Sequence, residues 1–475
     1  MNSTDSNATH RHILTDLLRH DPAPKELEIT ILPFPLDYNA DNEDNDTGTA
    51  TNQSSFMKEG IHLGIHAPHV PKLAREFRKE YYTCRSTRAI IKTETYTERG
   101  LDPDPKQLMD CISCLLLLCP DHATAWADRR RLLISQENQI LESSTLQSRL
   151  FTFWEAEIGY LNMLYTQHSK APNAWAHRRW VCRQILKSFT KTNHDHDSVF
   201  EGLIDNDIDI SDKLLSWATC EIAVCTVIAE KYPKNYYAWT HRSFITRTLA
   251  SLIQDEHEHE HDVSVWNCND DIRALLQAEV DSIEPWLSRH VSDHSAAHYG
   301  GEVLSLWFTT VTVGKNNDNA NDGNDCIQWK VDIIKEKLKG SEILIKKFPS
   351  HEVIWIWRRI CSRLFVEYAS AESIVSFIRQ EILKSTSTFE SALKVDADAA
   401  STCMDETMKQ QHHSLTHVLW ILKYTYAYAK FTNVEKALIR EELSALERQM
   451  VQIQLSKDDL SIRHIWDLIV VCVDR

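Results

Sequence analysis

Glycine and proline are scarce in this chain: 11 and 13 among 475 residues, about 5 % together where an average protein carries roughly 12 %. Sandwiches, barrels and propellers need both at their many turns, so the shortage argues against all three. Helices on short links need few of either. Long apolar runs are missing too. The longest, Cys111–Cys119, is broken by Ser113 and bounded by Asp110 and Pro120, far below the ~20 residues of a membrane helix. The opening Met1–Asp16 is polar, with His10, Arg11 and His12, and has no apolar core of a secretory signal. Positive charge is outweighed, 52 Lys and Arg against 68 Asp and Glu, for a net charge of −16. Phosphate backbones are held by clustered cations, so nucleic acid is not an expected partner. Twelve cysteines without a signal read as reduced thiols of a cytoplasmic protein. The final Cys472-Val473-Asp474-Arg475 places a cysteine where a prenylation box has it, but Asp474 and Arg475 fit that box poorly.

Tryptophan, by contrast, is abundant: 14 residues, equal to Phe and to Tyr. Aligning the tryptophans exposes an internal repeat. One copy reads Pro120-Asp-His-Ala-Thr-Ala-Trp126-Ala-Asp-Arg129-Arg130, and the next Lys170-Ala-Pro-Asn-Ala-Trp175-Ala-His177-Arg178-Arg179. A third reads Pro233-Lys-Asn-Tyr-Tyr-Ala-Trp239-Thr-His241-Arg242, and a last Pro349-Ser-His-Glu-Val-Ile-Trp355-Ile-Trp-Arg358-Arg359. Between them lies a decayed copy, Asp293-His294-Ser295-Ala296-Ala297-His298-Tyr299-Gly300, with Ala297 at the Trp position and Gly300 at the Arg position. Repeats therefore fall near 120–133, 169–182, 233–246, 291–304 and 349–362.

The spacing predicts a helix pair in each copy. Leu108, Cys111, Ile112, Leu115 and Leu118 recur at three- and four-residue steps on a first helix. Pro120 or Pro233 ends that helix, and Asp121 or Asn235 caps the second. On the second helix Trp126, Arg129, Arg130 and Leu133 share one face. The Trp is expected to be buried against a neighbour, and the Arg to stack on an indole or pair with an acid of the next hairpin. The expected fold is all-α: a right-handed, curved solenoid of helical hairpins. Its parts are an N-terminal segment 1–60 holding the acidic, Asn-rich tract Tyr38–Ser55, and one helical-repeat domain, 61–475. Polar insertions at 193–212, 254–271 and 314–326 read as mobile loops, because they cannot bury enough apolar surface to offset ordering.

The third copy resembles the alpha-subunit repeat of heterodimeric protein prenyltransferases, Pro-x-Asn-Tyr-x-x-Trp-x-His-Arg, at every defined position from Pro233 to Arg242. Segments 115–133, 173–181 and 290–299 extend the resemblance, with support from Ile31–Asn39 and Phe348–Arg359. It implies a crescent of hairpins wrapped around a beta subunit that carries the zinc and the geranylgeranyl diphosphate. It implies a beta subunit of the Rab geranylgeranyltransferase type. The implied acceptor is a protein with a C-terminal cysteine, such as a SNARE already carrying a farnesyl group. A second lipid makes physical sense, since one chain anchors only marginally. The same resemblance places a diphosphate-contacting lysine at Lys170 and, more weakly, a cleft-facing tyrosine at Tyr236. Ala171-Pro172 stands where the family has Asn-Tyr.

Other residue clusters read as structural. The Trp, His and Arg of each repeat, including His298 and Tyr299, suit packing between hairpins. His257, His259 and His261 alternate with acids and lack the spacing of a zinc site. Cys111 and Cys114 have no second pair and suit buried thiols. Asp293, His294 and Ser295 hold the residue types of a hydrolase triad, but neighbours in sequence cannot form one. No glycine-rich phosphate loop is present. The residues leave a second reading open, a non-catalytic helical-repeat scaffold for protein interactions.

Overall fold

A computed structural model describes residues 10–19, 28–32, 55–59, 61–93, 105–142, 147–190, 210–255, 269–311, 321–392 and part of 409–444. Most of Tyr38–Ser55, the centres of the three polar insertions, His257–His261, Trp466 and Cys472 lie outside the described residues. Packing divides the chain into two units, Met1–His241 and Arg242–Arg475.

The first unit holds α1 (His10–Arg19), β1 (Glu28–Leu32), β2 (Phe56–Glu59), β3 (His62–His66), α2 (Val70–Thr93), α3 (Pro105–Leu118) and α4 (Ala123–Glu142). After these come α5 (Gln147–His168), α6 (Pro172–Thr190), α7 (Ile210–Lys231) and the start of α8 (Tyr236–Asp255). Consecutive helices pack in pairs, α3 with α4 and α5 with α6. Each pair forms because its first helix is apolar on the inward face, as Leu108, Cys111, Ile112 and Leu115 of α3 are, all buried. A short link then turns the chain. The repeat tryptophan locks that link: Trp126 Nε1 donates to Pro120 O at 2.7 Å, and Trp175 Nε1 to Ser169 O at 2.8 Å.

Caps follow the sequence reading at one link and depart from it at another. Asn235 caps α8, its Oδ1 accepting from Tyr237 N at 3.1 Å and Ala238 N at 3.3 Å. At α4 the cap is His122, not Asp121: its Nδ1 accepts from Ala125 N at 3.2 Å. The helix starts one residue later than Asp121 requires, which leaves that carboxylate exposed.

The sheet is a feature the composition did not announce. Its order is β1-β3-β2, with β1 parallel and β2 antiparallel to β3. Three strands of four or five residues need few turns, so a shortage of Gly and Pro does not forbid them. Ile29 of β1 donates its N–H to Thr166 Oγ1 of α5 at 2.8 Å, which ties the sheet to the helices.

The second unit continues α8 and adds α9 (Asn269–Arg289), α10 (His294–Thr310), α11 (Asn321–Lys347), α12 (Glu352–Tyr368) and α13 (Ala371–Ala392). Here α9 packs with α10 and α11 with α12, while α10 also lies against α12. Trp355 Nε1 closes its link on Pro349 O at 2.9 Å. Helix α11 begins inside the stretch 314–326 that reads as loop. The buried apolar residues Val331, Ile334 and Leu338 of its later turns hold the helix against its neighbours. Beyond α13, the described part of 409–422 is helical as well.

Candidate functional site

Among the described residues a carboxylate sits at four joints between hairpins, and residues of successive repeats converge on it. In the first unit, Arg129 of α4 binds Glu157 of α5 through Nε and Nη2, both at 2.7 Å. His177 of α6 adds its Nε2 to the same carboxylate at 2.8 Å. Arg130 Nε donates to His177 Nδ1 at 3.2 Å, which leaves the imidazole proton on Nε2, facing Glu157. The next joint repeats this: Arg178 binds Glu221 at 2.7 Å through two nitrogens, and His241 Nε2 completes it at 2.7 Å. In the second unit Arg242 meets Glu279, and Tyr299 takes the histidine's place with its hydroxyl at 2.5 Å. Arg358 meets Glu381 at 2.8 and 2.5 Å, and His417 joins at 3.1 Å.

These groups are buried, and their protonation follows from that. Burial alone pushes the Glu157 carboxyl up, but Arg129 and His177 outweigh it and hold it at about 2. Glu221 is likewise held far below the carboxylate range by Arg178 and His241, against the effect of burial. Burial drives His177 and His241 down, and their carboxylates only partly offset it. The Glu157 and Glu221 joints are thus ion pairs, each with a neutral histidine donating to it. The sequence motif supplied the Arg and His; the acid came from the other helix.

One joint is rebuilt throughout. Gly300 stands at the Arg position, buried Lys337 at the acid position and Trp357 at the His position. A Cβ on Gly300 would fall 2.8 Å from Ile283 and 3.0 Å from the Trp357 ring, so the indole fills the space an arginine takes elsewhere. Lys337 turns to Asp281 at 2.7 Å, and Trp357 Nε1 donates to Glu284 at 3.2 Å. The first repeat is altered in the opposite sense. Its His position is Asp128, which accepts from Tyr81 and Arg85 of α2, both at 2.7 Å.

Lys170 and Tyr236 lie apart from this buried line, at the exposed tips of the first unit's hairpins. Lys170 Nζ reaches Pro233 O at 3.4 Å, which brings the link before α6 against the link before α8. Tyr236 opens α8 with 62 % of its surface exposed. In the link before α8, exposed Lys234 holds a left-handed backbone with φ at 59°, a conformation that disfavours a side chain. Two ammonium groups and a phenol on one edge are suited to meeting negative charge.

The remaining candidates take structural places. Asp293 caps α10, accepting from Ala296 N at 3.3 Å and from Trp286 Nε1 at 3.2 Å. Its neighbour His294 is exposed and turned to Ser292 O at 3.3 Å, so Asp293, His294 and Ser295 form no triad. His298 departs from the packing role read for it: it is exposed on α10, while its neighbours Ala297 and Tyr299 take the buried face. Cys111 and Cys114 are fully buried, Cys111 Sγ lying 3.7 Å from Cys84 Sγ and Cys114 Sγ 3.7 Å from Thr15 Oγ1. Among the described residues, Cys182, Glu221 and His241 are grouped closely enough to hold a metal. Arg178 already spans both oxygens of that carboxylate, so the group reads as a joint. No described helix is long and apolar enough to cross a membrane.

A family model for the protein prenyltransferase alpha subunit repeat matches residues 219–249, the segment that contains Glu221, Trp239, His241 and Arg242. Protein prenyltransferase alpha subunit repeat-containing protein 1-A of Xenopus laevis is 28 % identical over 285 residues, 56 % of each chain. The human repeat-containing protein 1 is 27 % identical over 272 residues, 53 % of this chain and 58 % of its own. The geranylgeranyl transferase type-2 subunit alpha of Saccharomyces cerevisiae is 20 % identical over 199 residues, 42 % of this chain and 45 % of its own. The match thus spans little more than half the length of the first relatives. The chain thus carries a match to the protein prenyltransferase alpha subunit repeat at residues 219–249 and, over about half its length, is similar to proteins named for that repeat.

Proposed function

We propose that this chain is the alpha subunit of a heterodimeric protein prenyltransferase, most consistent with a geranylgeranyltransferase. The observation that carries the reading is the exposed edge at Lys170, where repeats two and three meet through Pro233 O at 3.4 Å. In this reading the acceptor thiolate displaces diphosphate from the isoprenoid, and a thioether forms as the carbon–oxygen bond breaks. Lys170 meets the charge that builds on the leaving diphosphate, and Tyr236 is the second, weaker candidate for that role. Zinc and the geranylgeranyl diphosphate belong to a beta subunit of the Rab geranylgeranyltransferase type, where the metal keeps the thiol ionised at neutral pH. The acceptor is a protein with a C-terminal cysteine, a farnesylated SNARE being one such substrate. Similarity to geranylgeranyl transferase type-2 alpha subunits supports the pairing.

The test is prenyl transfer to an acceptor by the purified chain, the purified beta subunit and their mixture. Transfer is expected from the mixture alone. Turnover by this chain alone would overturn the division of labour. A stable complex that transfers nothing would favour the interaction scaffold instead.

A further inference from the structure

We propose that Asn235 is a positioning residue for Lys170, acting through the backbone carbonyl of Ser169; the proposal rests on the reading of Lys170 given above. Asn235 is fully buried and belongs to the third repeat, whereas Ser169 and Lys170 belong to the second. Its amide is divided between two tasks. The oxygen caps α8 by accepting from Tyr237 N and Ala238 N. The nitrogen donates to Ser169 O at 2.8 Å. That same carbonyl accepts Trp175 Nε1 at 2.8 Å, so it is held from both repeats at once.

The consequence falls on the next residue. With Ser169 O fixed on two buried donors, the peptide leading to Lys170 has one orientation, and the ammonium is delivered beside Pro233 O at 3.4 Å. Lys234 immediately precedes Asn235 and adopts the left-handed backbone at φ 59°, at the turn between exposed Pro233 and fully buried Asn235. The long, flexible Lys170 side chain would otherwise sample many rotamers at an exposed edge. Asn235 removes part of that freedom by fixing the base of the chain, and pre-orientation of a charged group is worth most where charge develops during reaction.

Asn235→Asp separates the two tasks. A carboxylate keeps the acceptor for the helix cap but sets an oxygen against Ser169 O where the donor was, and a thermal melt of the variant heterodimer checks that the fold survives the buried charge. Two measurements on the heterodimer with its beta subunit test the inference. The first is the acylation rate of Lys170 by an amine-reactive ester, followed by peptide mass spectrometry. The variant is expected to change it about threefold while Lys106 changes little, and an unchanged rate overturns the positioning role. The second is kcat for prenyl transfer in Asn235→Asp, Lys170→Ala and the double variant. Asn235→Asp is expected to lower kcat about tenfold with KM for the prenyl diphosphate nearly constant, and to add nothing in the Lys170→Ala background. A full additional loss in that background overturns action through Lys170. If Lys170→Ala alone leaves kcat intact, the diphosphate reading of Lys170 fails, while the acylation rate still decides whether Asn235 sets its position. Asn235→Ser, which keeps a capping hydroxyl, serves as the second variant and is expected to behave like Asn235→Asp in both measurements.

Discussion

Arg178 and Glu221 face each other through two hydrogen bonds of 2.7 Å, the guanidinium fully out of water and the carboxylate nearly so. They belong to successive hairpins, and neither has a solvated alternative in the folded chain. Arg178→Met should therefore cost about 3–5 kcal/mol, since it leaves a buried carboxylate with His241 as its remaining strong donor. Urea denaturation of the variant at neutral pH measures this, and a loss below about 1 kcal/mol would remove the joint from the stability account.

Acid should loosen the joints in two stages. Burial pushes His417 down from 6.5 to about 4, so between those values the unfolded chain binds a proton the folded chain does not. His177 and His241 shift in the same direction. Glu157, held at about 2 against 4.5, extends the effect to lower pH. Every one of these values is depressed in the fold, so stability is complete above about pH 7 and falls as pH falls. Denaturant midpoints at pH 7.5, 6, 5 and 4 should decline in that order; a midpoint that rises toward pH 5 contradicts the assignment.

Gly300 should tolerate almost nothing on its own. Gly300→Ala places a methyl 2.8 Å from Ile283 and 3.0 Å from Trp357, an overpacking worth about 1–3 kcal/mol. Gly300→Arg alone should prevent folding, because the indole occupies the space. Combined with Trp357→His and Lys337→Glu, the same arginine regains the partners seen at other joints. Expression and thermal melting of the single and triple variants test this, with the triple expected to be the more stable.

Trp175 is wholly buried, stacked on Tyr165 at 4.3 Å, and its indole holds Ser169 O. Trp175→Ala should cost about 3–5 kcal/mol. Trp239→Ala, at a site 5 % exposed, should cost a similar amount. Melts of either variant that overlay the parent would remove the packing role of the motif.

The hairpins were legible because Trp, His and Arg cluster within a few residues, and the physics of one helix face turns that cluster into a prediction. The acids were not. Glu157, Glu221 and Glu279 lie on the other helix, each 18 residues before its Trp position at Trp175, Trp239 and Ala297. That constant offset was the signal available, and no local motif carries it. The last joint hid for the opposite reason: His417 stands two residues after Leu415, with no tryptophan to align, and its Glu381 is 34 residues upstream of Leu415. The sheet escaped because strands this short barely alter composition. At the exposed edge, Lys170 came from resemblance, whereas the Asn235 clamp needed the folded backbone, since a cap residue's second hydrogen bond leaves no trace in its own spacing.

Glu157 and Glu221 are 64 residues apart, and each is closed by an arginine from before it and a histidine from after it. Such a chain has a natural unit of growth. Excising residues 158–221 would return His241 to Glu157 and leave Arg129 where it was, with no stranded charge. A cut of half that length would maroon one. Hairpins of this kind can be gained or lost only in whole periods, which makes modular shortening a route to minimal versions of the chain that conventional truncation at loop ends would miss.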